Sequence, residues 1–353
     1  MTMAPDPEGR DQRSRLEEAI LGERPTLTGA EVVERAGVDP DQARRLWRSL
    51  GFPELDGEPG STDAGGTTTT IGFTEADVAA VRDLYATAGE GLIDLDTAVN
   101  LTRAVGQTMS RLAEWEVATL VTRIEELEAQ GYGVTAREDG TAGTPPTRAD
   151  LALRLVKDIG SGFETMLVYA WRRHLAAAVA RLEALGAADE DLHVAHVTVG
   201  FADIVSFTAL SNTLEHDRIG DLVELFEQRC HDVVRNDRGR VIKSIGDSVL
   251  FLHDDPVGAM RSAEGIIRVI GKDRKMPDVR VGLASGTVSL RMGDVFGPPV
   301  NLAARLTAVA RRNRVIIDAA TAELLPPSYE TWRLPARPVR GFGLIEPVAV
   351  RRS

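Results

Sequence analysis

Little in this chain points to the cell surface. Of its 353 residues only Cys230 is a cysteine, so no disulfide can form within the chain and a reducing compartment is the simplest setting. No apolar run approaches the ~18 residues that span a bilayer. The opening stretch, MTMAPDPEGRDQRSR, is charged and has no apolar centre of the kind a secretory leader needs. These absences predict a cytoplasmic protein without a membrane segment. Aromatic residues are scarce, at 5%, while hydrophobic residues reach 43%, so the cores must be built mainly from Ala, Leu and Val. Basic charge is short in the front half only. Residues 1–190 carry 33 acidic and 19 basic side chains, whereas residues 191–353 carry 20 and 22. An acidic front half works against neutralising phosphates along a nucleic acid. A balanced back half can accept a small polyanion without a large repulsive field.

What is present divides into two textures. Up to about Leu185, apolar residues recur at three- and four-residue spacing, which predicts helices. GAEVVERAGVDPDQARRLWRSLGF reads as two short helices broken at GVDP. FTEADVAAVRDLYATA starts with a Thr74 cap, TMSRLAEWEVATLVTRIEELEAQ is a long amphipathic helix, and a further helix runs from about Gly162 to Leu185. From His193 onward, strands and helices alternate. HVTVGFA is a strand, RVIKSIGDSVLFLH a hairpin and VRVGLASGTVSLRMGDVF a second pair of strands. The hairpins imply an antiparallel or mixed sheet with helices on one face.

Three segments carry chemistry. In VGFADIVSFT an apolar strand ends on Asp203; in KSIGDS a Gly-Asp pair sits at a hairpin tip, with Asp247 exposed there. An Asp at a strand end serves as a turn or helix cap as readily as a ligand. If the two strands are neighbours, however, Asp203 and Asp247 meet at one end of the sheet and repel. A divalent cation with oxygen ligands, Mg²⁺ or Mn²⁺, turns that repulsion into a binding site. Between Asp203 and Thr208 the chain offers turn amides and hydroxyls suited to phosphate. The third segment is DVFGPPVNLAARL. Its Asn301 and Arg305 lie four apart and share a helix face; Arg forks to phosphate and Asn can fix a sugar. Lys243 lies four before Asp247, on the same side if the strand stays regular.

At these residues the chain resembles the class III nucleotidyl cyclases. FADIVSFT, KSIGDS and DVFGPPVNLAARL look like that family's three signature blocks, and the resemblance covers about 191–353. It implies an α+β domain of ferredoxin-like (βαββαβ) type. It implies two metal ions held by Asp203 and Asp247, and a triphosphate cradled by Ile204, Phe207 and Thr208. Lys243 and Asp294 would read the base, and Asn301 with Arg305 would form the transition-state pair. Lys donates to adenine N1 and Asp accepts from the 6-amino group, whereas guanine presents the opposite pattern. The implied substrate is therefore ATP. In this family the metal-binding and base-reading residues face each other across a dimer, so a homodimer would build two sites. The short SLRMGD segment and the paired prolines of GPPVN depart from many members and fit a branch called class IIIc. A basic residue for the terminal phosphates is harder to place, and Arg340 is a candidate. A diguanylate cyclase would need a Gly-Gly-Asp/Glu-Glu-Phe turn, which is absent.

The front half resembles the autoinhibitory domain of soluble actinobacterial cyclases. The expected organisation is an all-α regulatory domain over 1–161, a linker helix and switch segment over 162–192, and a catalytic domain over 193–353. GAEVVERAGVDPDQARRLWRSLGF also resembles a winged helix-turn-helix, with Arg44, Arg45 and Arg48 on the would-be recognition helix. A DNA-binding regulator with a nucleotide-sensing back half is the competing reading, and the acidic charge weighs against it. An apolar ligand within the Ala- and Leu-rich helices is a further expectation, without a specified pocket. His193 and His196, two of six histidines, adjoin Asp189, Glu190 and Asp191, which would favour their charged forms and suggest a pH-biased switch.

Overall fold

In the computed structural model, residues 7–52, 72–89, 93–132, 146–184, 194–214, 216–291 and 293–352 are described. Helical spacing in the front half yields α1 (Pro7–Leu21), α2 (Gly29–Ala36), α3 (Pro40–Ser49), α4 (Glu75–Gly89), α5 (Leu95–Ala129) and α6 (Arg148–Ala184). The break at GVDP forms as expected. Thr28 and Glu31 close a capping box on α2, and Gly37 ends it at φ 67°. Asp39 caps α3, whose first residue is Pro40. Val32, Ala36, Ala43 and Trp47 then bury against Phe73, Val78 and Val81.

The helix expected from Gly162 begins earlier, at Arg148. Thr147 starts it by accepting from the Asp150 amide, 3.2 Å away. Gly160 and Gly162 do not interrupt it. Two compact units, Met1–Ala176 and Ala177–Ser353, divide within α6. Among the described residues no helix is long and apolar enough to cross a membrane.

The second unit contains β1 (Val194–Ile204), α7 (Phe207–Ser211), α8 (His216–Asn236), β2 (Arg240–Ile245), β3 (Ser248–His253), α9 (Pro256–Gly271) and β4 (Val279–Arg291). Then come β5 (Asp294–Phe296), α10 (Pro298–Val309), β6 (Val315–Ile317), α11 (Ala319–Leu324), β7 (Tyr329–Arg333), β8 (Arg337–Val339), β9 (Gly343–Ile345) and β10 (Val348–Arg352). The main sheet runs β2-β3-β1-β4-β6-β10-β7, with β5 paired to β4. Its first four strands are antiparallel neighbours linked through α8 and α9, the ferredoxin-like βαββαβ arrangement. β6 adds parallel to β4.

Helices cover both faces of this sheet, not one. Ala202 and Ile204 of β1 pack with Phe226 and Cys230 of α8 and Met260 and Ile266 of α9. Val197 and Val199 face the other way and pack with Ala303 and Leu306 of α10. The apolar stripe of a helix says that it packs on a sheet, not on which side, so the one-face expectation failed at α10. The contact there is close. A Cβ on Gly282 of β4 would lie 2.4 Å from the Thr307 amide nitrogen and 2.5 Å from the Ala303 carbonyl oxygen, both in α10.

Two buried groups in this unit are structural. His253 shares a 2.9 Å hydrogen bond with Ser262, and burial lowers its pKa to about 4, so the ring is neutral. Burial pushes the Cys230 thiol up, which leaves it unreactive.

Candidate active site

β1 sets the position of the first carboxylate. Residues alternate along the strand, so Asp203 continues the row of Val197, Val199 and Phe201 on the α10 side, while Ala202 and Ile204 enter the α8/α9 core. The β2–β3 hairpin turns at Gly246, φ 60°, and its register sets Ser248 opposite Asp203. The Ile204 amide donates to the Asp247 carbonyl at 3.1 Å. Asp203 and Asp247 are thus neighbours at one end of the sheet, as expected. Asp247 feels both burial and its neighbour: desolvation, then the charge of Asp203, holds its carboxyl above the usual range.

Asp203 is held from two sides. The Ser248 hydroxyl donates to Oδ1 at 2.5 Å, and Arg280 grips Oδ2 through Nε at 2.8 Å and Nη2 at 2.6 Å. Arg280 also donates from Nη1 to the Ala308 carbonyl at 3.0 Å, which ties the end of α10 to this corner. Thr307 adds a second tie, donating to the Phe201 carbonyl at 3.2 Å. Neither Ser248 nor Arg280 was among the sequence-derived candidates. Only the β1–β4 register, which sets Asp203 opposite Arg280, reveals the second of them.

Beyond Ile204 the chain turns through Ser206, φ 59°, into the short helix α7. Phe207 and Thr208 open that helix, where first-turn amides have no intrahelical acceptor. Ile204 itself is buried and can offer only its backbone.

The second cluster lies on β2 and β5. Lys243 donates to Asp294 Oδ2 at 2.5 Å. Burial alone would raise the Asp294 carboxyl, but hydrogen bonds from Lys243 and the Val295 amide hold it below its usual range. Lys243 pairs with Leu250, which pairs with Phe201, so it lies two strands or about 10 Å from β1. The simple four-residue parity from Lys243 to Asp247 does not apply, because β2 ends at Ile245 and Asp247 lies in the turn beyond it. Ile245 and Phe296, two residues past Lys243 and Asp294, are each 52% exposed.

Asn301 and Arg305 come from α10. Gly297, φ 146°, and then Pro298 and Pro299 start this helix, and Ala303, Leu306 and Thr307 seat it on the sheet. Asn301 and Arg305 therefore share the outward face. Among the described residues Arg305 has no ion pair. Among the described residues no hydrogen bond or ion pair joins Asp203 or Asp247 to Lys243 or Asp294, so within one chain they stand as separate clusters. Arg340 occupies the turn between β8 and β9. His196 is exposed on β1 opposite Thr287, and His193 lies outside the described residues.

Among the described residues no group of three His, Cys, Asp or Glu could hold a metal ion. Two adjacent carboxylates nonetheless fit Mg²⁺, which takes one or two protein carboxylates and completes its shell with phosphate oxygens and water. Burial, and then the charge of Asp203, raises the Asp247 carboxyl, so a cation at this corner would relieve part of that repulsion.

A βαββαβ sheet with paired carboxylates at one end, a Lys–Asp pair between β2 and β5 and an Asn/Arg face on a covering helix is the arrangement expected of a nucleotidyl cyclase. Residues 191–348 match the family described as the adenylate and guanylate cyclase catalytic domain. The likeness extends through the front half. An adenylate cyclase of Streptomyces coelicolor is 36% identical over 366 residues, covering 96% of this chain and 89% of that one. An adenylate cyclase of Streptomyces griseus is 38% identical over 311 residues, covering 88% and 71%. The chain belongs to the class III adenylate and guanylate cyclase family. A Mycobacterium tuberculosis protein named as a pH-sensitive adenylate cyclase is 29% identical over 308 residues, covering 87% of this chain and 72% of that one.

On the helix-turn-helix α2–α3, basic side chains already meet acids. Arg45 pairs with Asp96, and Arg44 pairs with Asp41 at 2.8 Å.

Proposed function

We propose that this chain is an adenylyl cyclase that converts ATP to 3′,5′-cyclic AMP and pyrophosphate at two equivalent sites of a homodimer. The observation that carries the reading is the Lys243–Asp294 pair, held apart from Asp203 and Asp247 within one chain. That separation suits a site completed by a second copy. Ile245 and Phe296, apolar and half exposed beside the Lys–Asp pair, suit burial there.

Lys243 donates to adenine N1 and Asp294 accepts from the 6-amino group. The low pKa of Asp294 keeps it an acceptor at neutral pH. Asp203 and Asp247 hold the divalent cations, Mg²⁺ or Mn²⁺, with two per site in this reading. Bound there, they supply positive charge to the triphosphate and acidify the ribose 3′-hydroxyl. Phe207 and Thr208 offer backbone amides to the phosphates, Ile204, whose amide is taken by the Asp247 carbonyl, positions that turn, and Arg340 is the candidate for the terminal ones. Asn301 orients the ribose. The 3′ oxygen forms a bond to the α-phosphorus as the bond to the bridging oxygen breaks; pyrophosphate leaves and the hydroxyl proton passes to solvent. Arg305 stabilises the charge that gathers on the α-phosphoryl oxygens.

In the same reading the helical front half, residues 1–161, restrains turnover through the linker 162–192, and the reaction takes place in the cytoplasm. The test is cyclic AMP formation from ATP, with GTP as control, from mildly acidic to mildly alkaline pH. The full chain is compared with residues 191–353. ATP should be consumed and GTP spared, and the fragment should be faster. Absence of cyclic AMP from both would sink the enzyme reading; equal rates at every pH would sink the restraint.

His193 and His196 are the proposed source of pH sensitivity, by analogy with the mycobacterial relative's name. His196 is exposed on β1. Replacing both by Ala should flatten the activity–pH curve of the full chain; an unchanged curve would remove them from regulation.

A further inference from the structure

On the α10 side of the sheet, three strands meet beyond that helix. Ile316 of β6 pairs with Ala349 of β10, which pairs with Trp332 of β7. These three form one row across the sheet, and they floor a pocket of about 360 Å³ that closes against Val309 at the end of α10. The Trp332 indole remains 48% exposed. A large ring left this open beside a concave apolar floor is an unfinished packing surface.

The rim is basic. Arg311, Arg314 and Arg337 line the pocket. Neighbouring arginines on the same elements have acid partners: Arg312 with Asp278, Arg333 with Glu346, Arg351 with Glu330. Among the described residues the side chains of the three at the rim have none. Three guanidinium groups on one rim, without an acid partner among the described residues, make it positive and favour an anion. Arginine forks to carboxylate or phosphate oxygens with two parallel hydrogen bonds.

We propose that this pocket binds an organic anion with a flat apolar body, the body lying on Trp332 and Ile316 and the anionic head held by Arg314 and Arg337. The site is built entirely from the far strands and the end of α10. It uses none of the residues assigned to nucleotide, so it stands or falls apart from the cyclase reading.

The test is calorimetric titration of the full chain with 4-phenylbutyrate, its matched alcohol 4-phenylbutanol, and butyrate. The aryl carboxylate should bind saturably and about tenfold more tightly than either the alcohol or butyrate, since each lacks one of the two recognition elements. Arg314→Gln with Arg337→Gln should weaken it about tenfold. These exposed substitutions should leave the melting temperature and ATP turnover unchanged. Trp332→Ala should weaken both aryl compounds equally. Any of three results overturns the proposal: no saturable heat with 4-phenylbutyrate, equal affinity for acid and alcohol, or displacement of the probe by a non-hydrolysable ATP analogue.

Discussion

Two inactive variants should regenerate activity when combined. Asp203→Asn removes a carboxylate from the end of β1, and Arg305→Ala removes the guanidinium from the outer face of α10. Each alone should lower cyclic AMP formation at least about a hundredfold, the scale seen when a group that stabilises transition-state charge is deleted. In a homodimer with shared sites, one site of a mixed pair carries both lesions and the other carries neither. Random pairing makes half of all dimers mixed, each with one intact site of two, so co-expression should recover about a quarter of the unaltered activity. The isolated clusters in one chain are the reason to expect this: Lys243 is already engaged by Asp294, and Asp203 by Arg280. If mixing restores nothing while both variants still form dimers, each site lies within a single chain.

A single methyl group at Gly282 should disable the enzyme from behind its active site. The Cβ of Gly282→Ala would sit 2.4 Å from the Thr307 amide nitrogen and 2.5 Å from the Ala303 carbonyl oxygen. Both are backbone atoms of α10, so no rotamer change relieves the clash; the helix must move off β4. Overpacking of this kind costs about 1–3 kcal/mol. The helix carries Asn301 and Arg305, and its end is tied to Arg280 and Phe201. Turnover should therefore fall about tenfold or more, because small misplacements of catalytic groups are costly. Gly220→Ala on α8 is the control, since a Cβ there meets nothing within 4 Å. Helix propensity alone should stabilise that variant by about 0.5–1 kcal/mol. Thermal melts and cyclic AMP assays on both would decide the matter; an active Gly282→Ala with an unchanged melt would mean that α10 is not held as tightly as its contacts indicate.

The local parts of this architecture were readable from residue order. An apolar run ending on Asp203 and a Gly-Asp hairpin tip place two carboxylates at strand ends, and β1 and β3 do pair antiparallel at that point. The GVDP break, with its αL glycine and Asp cap, is local chemistry and formed where expected. What required register was not readable. Arg280 is the second residue of an ordinary strand, and nothing near it signals that it will lie opposite Asp203, 77 residues earlier. The side of the sheet taken by α10 was misjudged because a helix's own periodicity carries no information about which face of a sheet it meets. The start of α6 was set too late: Gly160 and Gly162 lie in open space within a continuous helix that begins at Arg148. The unpaired arginines around Trp332 are spread from Arg311 to Arg337, so only the folded sheet gathers them.

Arg280 gives Asp203 a counterion from its own chain, and this separates two events that many metalloproteins join. A site whose carboxylates depend on a metal for charge balance folds poorly without it. Here the guanidinium already neutralises one carboxylate, and protonation is made easier for the other. The chain can therefore reach its folded form in a cation-poor medium and remain there, idle and intact. In the proposed reading, incoming Mg²⁺ competes with Arg280 for Oδ2 of Asp203. A triphosphate bound there, in the same reading, offers that guanidinium another partner, so nucleotide and cation favour each other's arrival. In that reading, responsiveness to the surrounding pools of ATP and Mg²⁺ rests on one ion pair at the end of a strand.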